Sequence, residues 1–187
     1  MRSIPGMHIF CPADEEELIR GLPAVIESRS PWYIRFNAAE AAVTHSTNFE
    51  PGKAEVVSEG SDVSILVYGF LLAEAVRAAA ILEDEGTSVR LINLRTLVPI
   101  DEETIVKAAR ETSMLVTLED HLIVGGLYSI VAEILLRQNG RRSVMPIAFR
   151  DKWFKPALLG DALEYEGFTG PQIASRILLR LDGQLKP

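Results

Sequence analysis

The sequence has one cysteine and no long apolar run, and each absence excludes a class of protein. A single thiol, Cys11, cannot form a disulfide framework or a multi-thiolate metal site. No apolar run approaches the ~20 residues that a membrane-spanning helix requires. Residues 1–6 do not lead into an apolar segment of the kind found in signal peptides. We therefore expect a cytoplasmic protein with no membrane partner.

Cationic side chains and histidines are also scarce. The chain carries 19 Lys and Arg against 26 Asp and Glu, which gives a formal net charge of −7. Nucleic-acid binding requires clustered cations, so we expect no nucleic-acid partner. His8, His45 and His121 are widely spaced, and with one cysteine they predict no zinc site. His8 and His45 have no evident carboxylate or thiolate companion, so neither is assigned a role.

The 187 residues suffice for one full domain and about a quarter of another, and the chain divides into two parts. In the first part, apolar residues 8–11 and 32–36 predict two strands. Between them, Asp14 and Glu17 have the spacing of a helix capping box. This strand–helix–strand unit is smaller than a domain. Residues 37–53 follow without clean periodicity, and we interpret them as a linker.

Beyond the linker, strand and helix patterns alternate regularly. With helices between them, four mostly apolar strands are predicted, at residues 62–68, 88–94, 113–118 and 144–149. Such alternation indicates a parallel sheet covered by helices on both faces. Pro146 favours an edge position for the last of these strands. Pro23, in the first part of the chain, predicts a break or kink in its helix.

Ligands of parallel sheets bind at the carboxyl ends of the strands, and one segment there is rich in functional groups. It contains the carboxylates of Glu119 and Asp120, the imidazole of His121, and Gly125-Gly126 ahead of a helix. The glycines and the helix N-terminus would suit an anion, whereas the commoner interpretation is tight strand-to-helix packing. The segment lacks the Gly-x-Gly-x-x-Gly spacing, so a dinucleotide site is poorly supported.

Arg35 lies within an apolar strand, between Ile34 and Phe36. A permanent charge at such a position needs a carboxylate, a phosphate or solvent around it. The pattern by itself favours a half-exposed strand whose arginine points into water. An anion-binding arginine at a strand end is the alternative interpretation.

Several motifs resemble the C-terminal part of the transketolase family. The strongest are residues 94–101 (Leu-Arg-Thr-Leu-Val-Pro-Ile-Asp) and 116–121 (Val-Thr-Leu-Glu-Asp-His), followed by Gly-Gly-Leu at 125–127. Residues 11–14 (Cys-Pro-Ala-Asp) and 33–36 (Tyr-Ile-Arg-Phe) resemble the end of that family's pyrimidine-binding domain. The family includes transketolase, deoxyxylulose-phosphate synthase and the beta subunits of 2-oxo-acid dehydrogenases. These thiamine-diphosphate enzymes cleave and form carbon–carbon bonds next to a carbonyl.

The resemblance implies a fold and a domain division. Residues 54–187 would form a three-layer α/β/α domain around a mostly parallel five-stranded sheet. Residues 1–53 would be the truncated end of the pyrimidine-binding domain together with a linker, so a partial α/β segment precedes the main domain. In this family, thiamine diphosphate and Mg²⁺ are held by more N-terminal parts. No bound cofactor, metal site or catalytic residue is therefore expected in this chain alone.

The resemblance also implies roles for the residues singled out above. Arg35 maps to a ligand for the sugar-phosphate substrate, because a guanidinium binds a phosphate through paired hydrogen bonds. Glu119, His121, Gly125 and Gly126 would have interface or structural roles. The expected partners are an N-terminal transketolase part or subunit and a second copy of the chain in a homodimer.

Three functions remain open at this point. The first is the C-terminal part of an enzyme that transfers two-carbon ketol units between sugar phosphates, inactive alone. A related possibility is part of a deoxyxylulose-phosphate synthase or of a 2-oxo-acid dehydrogenase beta subunit. The second is a non-catalytic assembly or regulatory module that kept the fold and lost the chemistry. The third is an unrelated binding domain with a ligand at Gly69 or Gly125.

Overall fold

The computed structural model describes residues 1–138, 143–151 and 156–184. Their strands and helices follow in the order β1 (His8–Phe10), α1 (Glu15–Glu27), β2 (Trp32–Ile34), β3 (Glu55–Ser58), β4 (Val63–Val67), α2 (Leu72–Asp84), β5 (Val89–Asn93), β6 (Thr96–Val98), α3 (Glu102–Glu111), β7 (Met114–Leu122), α4 (Leu127–Arg137), β8 (Ser143–Phe149), α5 (Leu159–Glu166) and α6 (Gly170–Leu181). Within the described residues, no helix has both the length and the apolar content needed to cross a bilayer.

The main sheet has five strands in the order β3-β5-β4-β7-β8. Strands β5, β4, β7 and β8 are parallel to one another, and β3 is antiparallel to β5. This confirms the prediction of a mostly parallel five-stranded sheet. All five residues of β4 and of β5 are buried, as expected for strands covered on both faces. β8, which contains Pro146, lies at an edge as predicted.

Two apolar cores lie on opposite faces of this sheet and make the three layers. On one face, β4 residues Ile65 and Val67 pack in a cluster with residues from α2 and α6. On the other face, Leu66 of the same strand packs in a cluster with residues from α3 and α4. Side chains alternate between the faces because successive residues of a strand point in opposite directions. The three-layer α/β/α prediction is therefore confirmed.

A second sheet of three strands joins the two parts of the chain. Its order is β2-β1-β6, with β1 parallel to β2 and antiparallel to β6. β6 follows β5 in the chain, so a strand from the larger part completes the sheet of the smaller one. Sequence patterns did not predict β6 or β3, because three or four residues are too few to show a periodicity. Helix α5 was missed as well.

Helix α1 begins at the predicted N-cap, Asp14, and runs through Pro23. The Glu17 side chain accepts from the residue before the N-cap and so does not form the predicted capping box. The Asp14 side chain accepts from the backbone N–H of Glu17 at 2.9 Å, and Glu17 accepts from the N–H of Ala13 at 2.6 Å. The helix continues to Glu27, so the predicted break at Pro23 is wrong. The carbonyl left without a donor belongs to Ile19, which is exposed and so can be hydrated.

The linker contains no helix or strand between residues 37 and 53, yet it is anchored by a buried histidine. His45 is 3% exposed; its Nδ1 lies 2.7 Å from a Glu55 carboxylate oxygen and its Nε2 2.8 Å from one of Asp14. The expectation that His45 lacks carboxylate companions is therefore wrong. Both companions are distant in the sequence, so local spacing could not indicate them.

The surroundings of His45 favour its protonated form. Burial by itself would lower the pKa of His45, but hydrogen bonds with Glu55 and Asp14 outweigh it and raise the pKa to about 9. Burial would raise the pKa of Glu55, whereas its bonds with His45 and with the Ser46 N–H lower it to about 2. We infer that an imidazolium ion bridges two carboxylates and connects the linker to both parts of the chain.

Two further buried side chains complete what we call the His45 cluster: Asp14, Glu17, His45, Glu55 and Asn93. Asn93, at the end of β5, donates to Glu17 at 2.9 Å. Burial is the main cause that raises the pKa of Glu17 to about 7. The cluster joins α1, the linker, β3 and β5, so it fixes the smaller part of the chain against the five-stranded sheet.

The corner between β7 and α4 is built around a buried carboxylate. Glu119 is fully buried and accepts the backbone N–H groups of Leu127 at 2.6 Å and Tyr128 at 2.9 Å. A Cβ atom on Gly126 would lie 1.9 Å from a Glu119 oxygen, and Gly125 has a φ of +83°. The Glu119 carboxylate therefore occupies the N-terminus of α4, where the sequence suggested an anion site, and the two glycines permit this close packing.

Replacing Gly126 with alanine tests this corner. The variant should lose about 2 kcal/mol or more of unfolding free energy, because the new methyl group collides with the buried Glu119 carboxylate. Chemical denaturation measures the change. Gly160→Ala is the matched control, since no described residue lies within 4 Å of its added Cβ, and it should be neutral or stabilising by up to ~1 kcal/mol. Equal losses in both variants would contradict the proposed collision.

The His45 cluster predicts a specific dependence of stability on pH. A group whose pKa is higher in the folded state than in the unfolded state loses its stabilising effect as the pH rises. Glu17 loses this effect between pH 4.5 and about 7, and His45 loses it between pH 6.5 and about 9. Glu55, with a lowered pKa, loses its effect as the pH falls from 4.5 towards about 2. The unfolding free energy should therefore be greatest near pH 5 and fall by on the order of 3 kcal/mol or more by pH 9.

At pH 6, His45→Gln should cost about 3 kcal/mol, because it leaves buried carboxylates without their cation. His121→Gln, at an exposed histidine, should change the stability by less than about 0.5 kcal/mol. Thermal and urea unfolding of the three proteins across the pH range provide the measurement. A wild-type stability that stays constant between pH 7 and 9 would rule out a buried imidazolium.

Candidate functional site

Arg35 directly follows β2, and its guanidinium binds a carboxylate from the other sheet. Its backbone N–H donates to the Phe10 carbonyl at 2.9 Å, which continues the pairing of β2 with β1. Its Nη1 donates to Oδ1 of Asp120, and its Nη2 donates to Oδ2 at 2.7 Å. Nη2 also donates to the Asp120 backbone carbonyl at 3.1 Å. Of the three environments considered for this charge, the structure provides a carboxylate and some solvent.

The ion pair is intermediate in burial and keeps Arg35 charged. The Arg35 side chain is 36% exposed and that of Asp120 is 13% exposed. Burial would lower the pKa of Arg35, but the hydrogen bonds and charge of Asp120 raise it above its usual range. The pair therefore places a permanent cation, with its carboxylate partner, at the carboxyl ends of β2 and β7.

Besides a small cavity of about 170 Å³, two larger cavities border Arg35. The larger, of about 730 Å³, is lined by Arg35, Asp120 and His121, and by apolar side chains that include Phe70 and Phe149. The smaller, of about 440 Å³, is also lined by Arg35 and His121, together with Tyr68, Cys11, Gly125 and Gly126. Both lie where ligands bind in α/β sheets, at the carboxyl ends of the strands.

Of the site residues predicted from the sequence, some line the cavities and one, Glu119, is buried beneath them. Arg35, His121, Gly125 and Gly126 line the smaller cavity together. His121 is exposed, and its Nδ1 lies 2.8 Å from the Leu122 carbonyl, so that nitrogen carries the proton and donates. Glu119 does not reach the cavity surface, because its carboxylate is buried against the first turn of α4.

Sequence reasoning named Asp120 but gave it no role. Successive side chains of a strand point to opposite faces, so within β7 Asp120 points away from the face on which Glu119 is buried. That alternation could have separated the two carboxylates. Their different partners, a helix N-terminus for Glu119 and Arg35 for Asp120, follow from it.

Cys11 and Tyr68, which line the smaller cavity, are uncharged near neutral pH. Burial is the main cause that raises the pKa of the Cys11 thiol to about 12. Burial also raises the pKa of Tyr68, with a further contribution from the nearby charge of Asp120. Neither group is therefore an activated nucleophile. The site can orient an anion or a polar ligand.

The His45 cluster is also the place to consider a metal. Within the described residues, Glu17, His45 and Glu55 offer ligand atoms that lie within 4.8 Å of one another. However, both ring nitrogens of His45 already lie at hydrogen-bonding distance from carboxylates, and Arg95 Nε lies 3.9 Å from Glu17. The cationic side chains balance these carboxylates, so the arrangement needs no metal ion to explain it.

Comparison with known proteins identifies the larger part of the chain. The family model of the transketolase C-terminal domain matches residues 52–173. A putative transketolase C-terminal section from Methanocaldococcus jannaschii is 31% identical over 182 residues, which are 95% of this chain and 57% of that protein. A 6-deoxy-6-sulfo-D-fructose transketolase subunit from a Clostridium species is 35% identical over 92% of this chain and 54% of its own length.

The other relatives include an enzyme that is not named a transketolase and two proteins of solved structure. A 1-deoxy-D-xylulose-5-phosphate synthase from Caldanaerobacter subterraneus is 30% identical over 96% of this chain and 29% of that enzyme. A structure described as a split gene transketolase, inactive beta4 tetramer, has a TM-score of 0.88 at 34% identity, covering 95% of this chain and 59% of that chain. A Pichia stipitis transketolase, at 17% identity with a TM-score of 0.70, supports the fold.

The chain thus spans little more than half the length of the transketolase section from Methanocaldococcus and of the transketolase subunit from Clostridium. The family model covers more than half of the chain, and the TM-score of 0.88 shows that its fold agrees with that of the split gene transketolase. The chain therefore belongs to the transketolase family, whose C-terminal domain it contains.

Proposed function

We propose that this chain is the C-terminal part of a thiamine-diphosphate enzyme that transfers two-carbon ketol units between sugar phosphates. It would be inactive alone and would act together with an N-terminal part that binds the cofactor. The observation that carries the proposal is the placement of Arg35, which borders two cavities directly beside the domain that the family model matches. Split relatives named as a section or a subunit support a separate N-terminal partner.

The described residues do not fit thiamine diphosphate and its Mg²⁺. A diphosphate is bound by unoccupied backbone N–H groups, and the N-terminus of α4 is already occupied by Glu119. Mg²⁺ requires carboxylate oxygens that are open to it, whereas those of the His45 cluster accept hydrogen bonds from protein groups. We therefore assign the cofactor to the N-terminal part and derive no chemical step within this chain.

The role of Arg35 in this proposal is to bind the anionic end of the substrate. A guanidinium has five N–H donors, and Asp120 engages three of them. The two donors that Asp120 does not engage, one on Nε and one on Nη1, would each donate a charge-assisted hydrogen bond to an anionic oxygen, such as one of a phosphate. A sulfonate offers the same tetrahedral oxygens, so a sulfo-sugar like the one named for the Clostridium relative is a second candidate substrate.

Exposed apolar side chains near the same site support self-association. Val124 is 82% exposed in the corner between β7 and α4, and Leu122 beside it is 42% exposed. Tyr165 on α5, which lines the larger cavity, is 72% exposed. We propose that this corner, with Glu119 and the two glycines as its framework, contacts a second copy of the chain or the N-terminal part.

Reconstitution tests the enzymatic proposal. The chain, mixed with an N-terminal part that carries the cofactor-binding region, thiamine diphosphate and Mg²⁺, should transfer ketol units, while neither part should do so alone. Alone, the chain should show no saturable binding of thiamine diphosphate with Mg²⁺ by calorimetry. Micromolar binding would contradict the division of roles. Absence of turnover with ketose-phosphate and 2-oxo-acid donors would favour a non-catalytic assembly or regulatory module.

Arg35→Ala tests the substrate contact in the reconstituted enzyme. The KM for a phosphorylated acceptor should rise about 10-fold or more, because charge-assisted hydrogen bonds to the phosphate are lost. The KM for the matching unphosphorylated acceptor should change little. Arg20→Ala removes an arginine that is paired with Glu16 on the surface of α1, so it serves as the control. Equal effects of Arg35→Ala on both acceptors would remove the phosphate role.

A further inference from the structure

We propose that Asp120 is the positioning residue for Arg35, so that the C-terminal domain orients an anion-binding group that the smaller part of the chain supplies. The inference rests on the proposed role of Arg35 in binding the substrate's anion. Asp120 itself would not touch the substrate's reacting atoms. Its effect would be to fix the direction in which the remaining guanidinium N–H groups point.

The contact has the geometry that such a role requires. Each terminal nitrogen of Arg35 donates to one carboxylate oxygen of Asp120, and a third hydrogen bond reaches the Asp120 carbonyl. A single hydrogen bond would allow the planar group to rotate, whereas a two-pronged contact fixes both its plane and its direction. An unpaired arginine on the surface would instead sample many rotamers and lose that freedom on binding.

The backbone that carries Asp120 is fixed on both sides. Before it, Leu118 pairs with Ile147 and Glu119 is attached to the first turn of α4. After it, Leu122 pairs with Phe149, whose carbonyl also accepts the N–H of Ile123 at 2.9 Å. Asp120 thus lies between two points at which β7 is paired with β8. A carboxylate with such a support is suited to orient a flexible partner.

The charge of Asp120 and its positioning effect act on anion binding in opposite directions. A carboxylate beside an anion site repels the anion, so charge alone predicts tighter binding when Asp120 is neutralised. Loss of positioning predicts weaker binding, because Arg35 must then be ordered by the ligand. The sign of the change therefore distinguishes the two effects.

Titration of the full chain with inorganic phosphate, followed by calorimetry, measures this sign. Asp120→Asn should weaken phosphate binding at least 5-fold, although it removes a repelling charge. Asp161→Asn is the matched control: it removes the same charge from the lining of the same cavity and has an exposed side chain. It should leave phosphate binding unchanged or slightly tighter. Binding by Asp120→Asn that equals or exceeds the wild type would overturn the inference.

Asp120→Glu protects the test against a folding defect in the first variant. It keeps the charge and the ion pair but moves the carboxylate by one methylene. Positioning predicts a 2- to 5-fold loss of phosphate affinity, smaller than for Asp120→Asn, whereas charge predicts no change. Unchanged affinity in a folded Asp120→Glu protein would also overturn the inference. Circular dichroism establishes that each variant is folded.

A second readout keeps this inference separate from the proposed function. Nitrogen-15 relaxation of the Arg35 Nε–H should show a rigid side chain in the wild type and in Asp161→Asn, and a mobile one in Asp120→Asn. Equal mobility in all three proteins would overturn the positioning role whatever the phosphate data show. If Arg35→Ala binds phosphate as well as the wild type, the anion role of Arg35 fails, while the relaxation data still decide whether Asp120 orients it.

Discussion

A cation buried between carboxylates determines how the two parts of this protein fit together. Removing the imidazolium of His45 and its carboxylate partners from water costs several kcal/mol per ion, and close hydrogen bonds on both ring nitrogens offset that cost. Asp14 lies at the start of α1 and Glu55 lies in β3. Both hydrogen bonds to His45 therefore form only when α1, the linker and β3 are arranged as they are in this structure. Arg95, also buried, adds hydrogen bonds to the linker carbonyls of Asn48 and Lys53.

With the two sheets fixed in this way, the functional site follows from their juxtaposition. Arg35 is at the end of a strand in one sheet, and Asp120 is near the end of a strand in the other. Neither sheet has this site by itself. In a family whose cofactor performs the carbon–carbon chemistry, the protein contributes binding and orientation. In the function that we propose, the C-terminal domain contributes orientation through Asp120 and a rigid framework through Glu119.

The periodic part of the fold could be predicted from the sequence, and the parts that depend on distant contacts could not. The strands β4, β5, β7 and β8 were evident because each contains a run of mostly apolar residues, which in β4 and β5 reflects burial on both faces. β3 and β6 are short and depend on pairing with other strands. His45 seemed isolated because its partners, Asp14 and Glu55, are 31 and 10 residues away. Arg35 was singled out as a charge within an apolar strand, and the resemblance predicted its phosphate role, whereas its Asp120 partner required the structure.

The pairing of β6 with β1 has a consequence for how this chain folds. Ile9 pairs with Val98, so a segment of nearly ninety residues must be closed before this contact forms. Contacts of such high sequence separation slow folding and couple distant segments into one cooperative unit. Separating the chain at the linker would leave β6 without its neighbour and would remove Ile9 and Cys11 from the apolar cluster that contains Leu97. The domain boundary predicted after residue 53 is therefore not a boundary between two independent folding units.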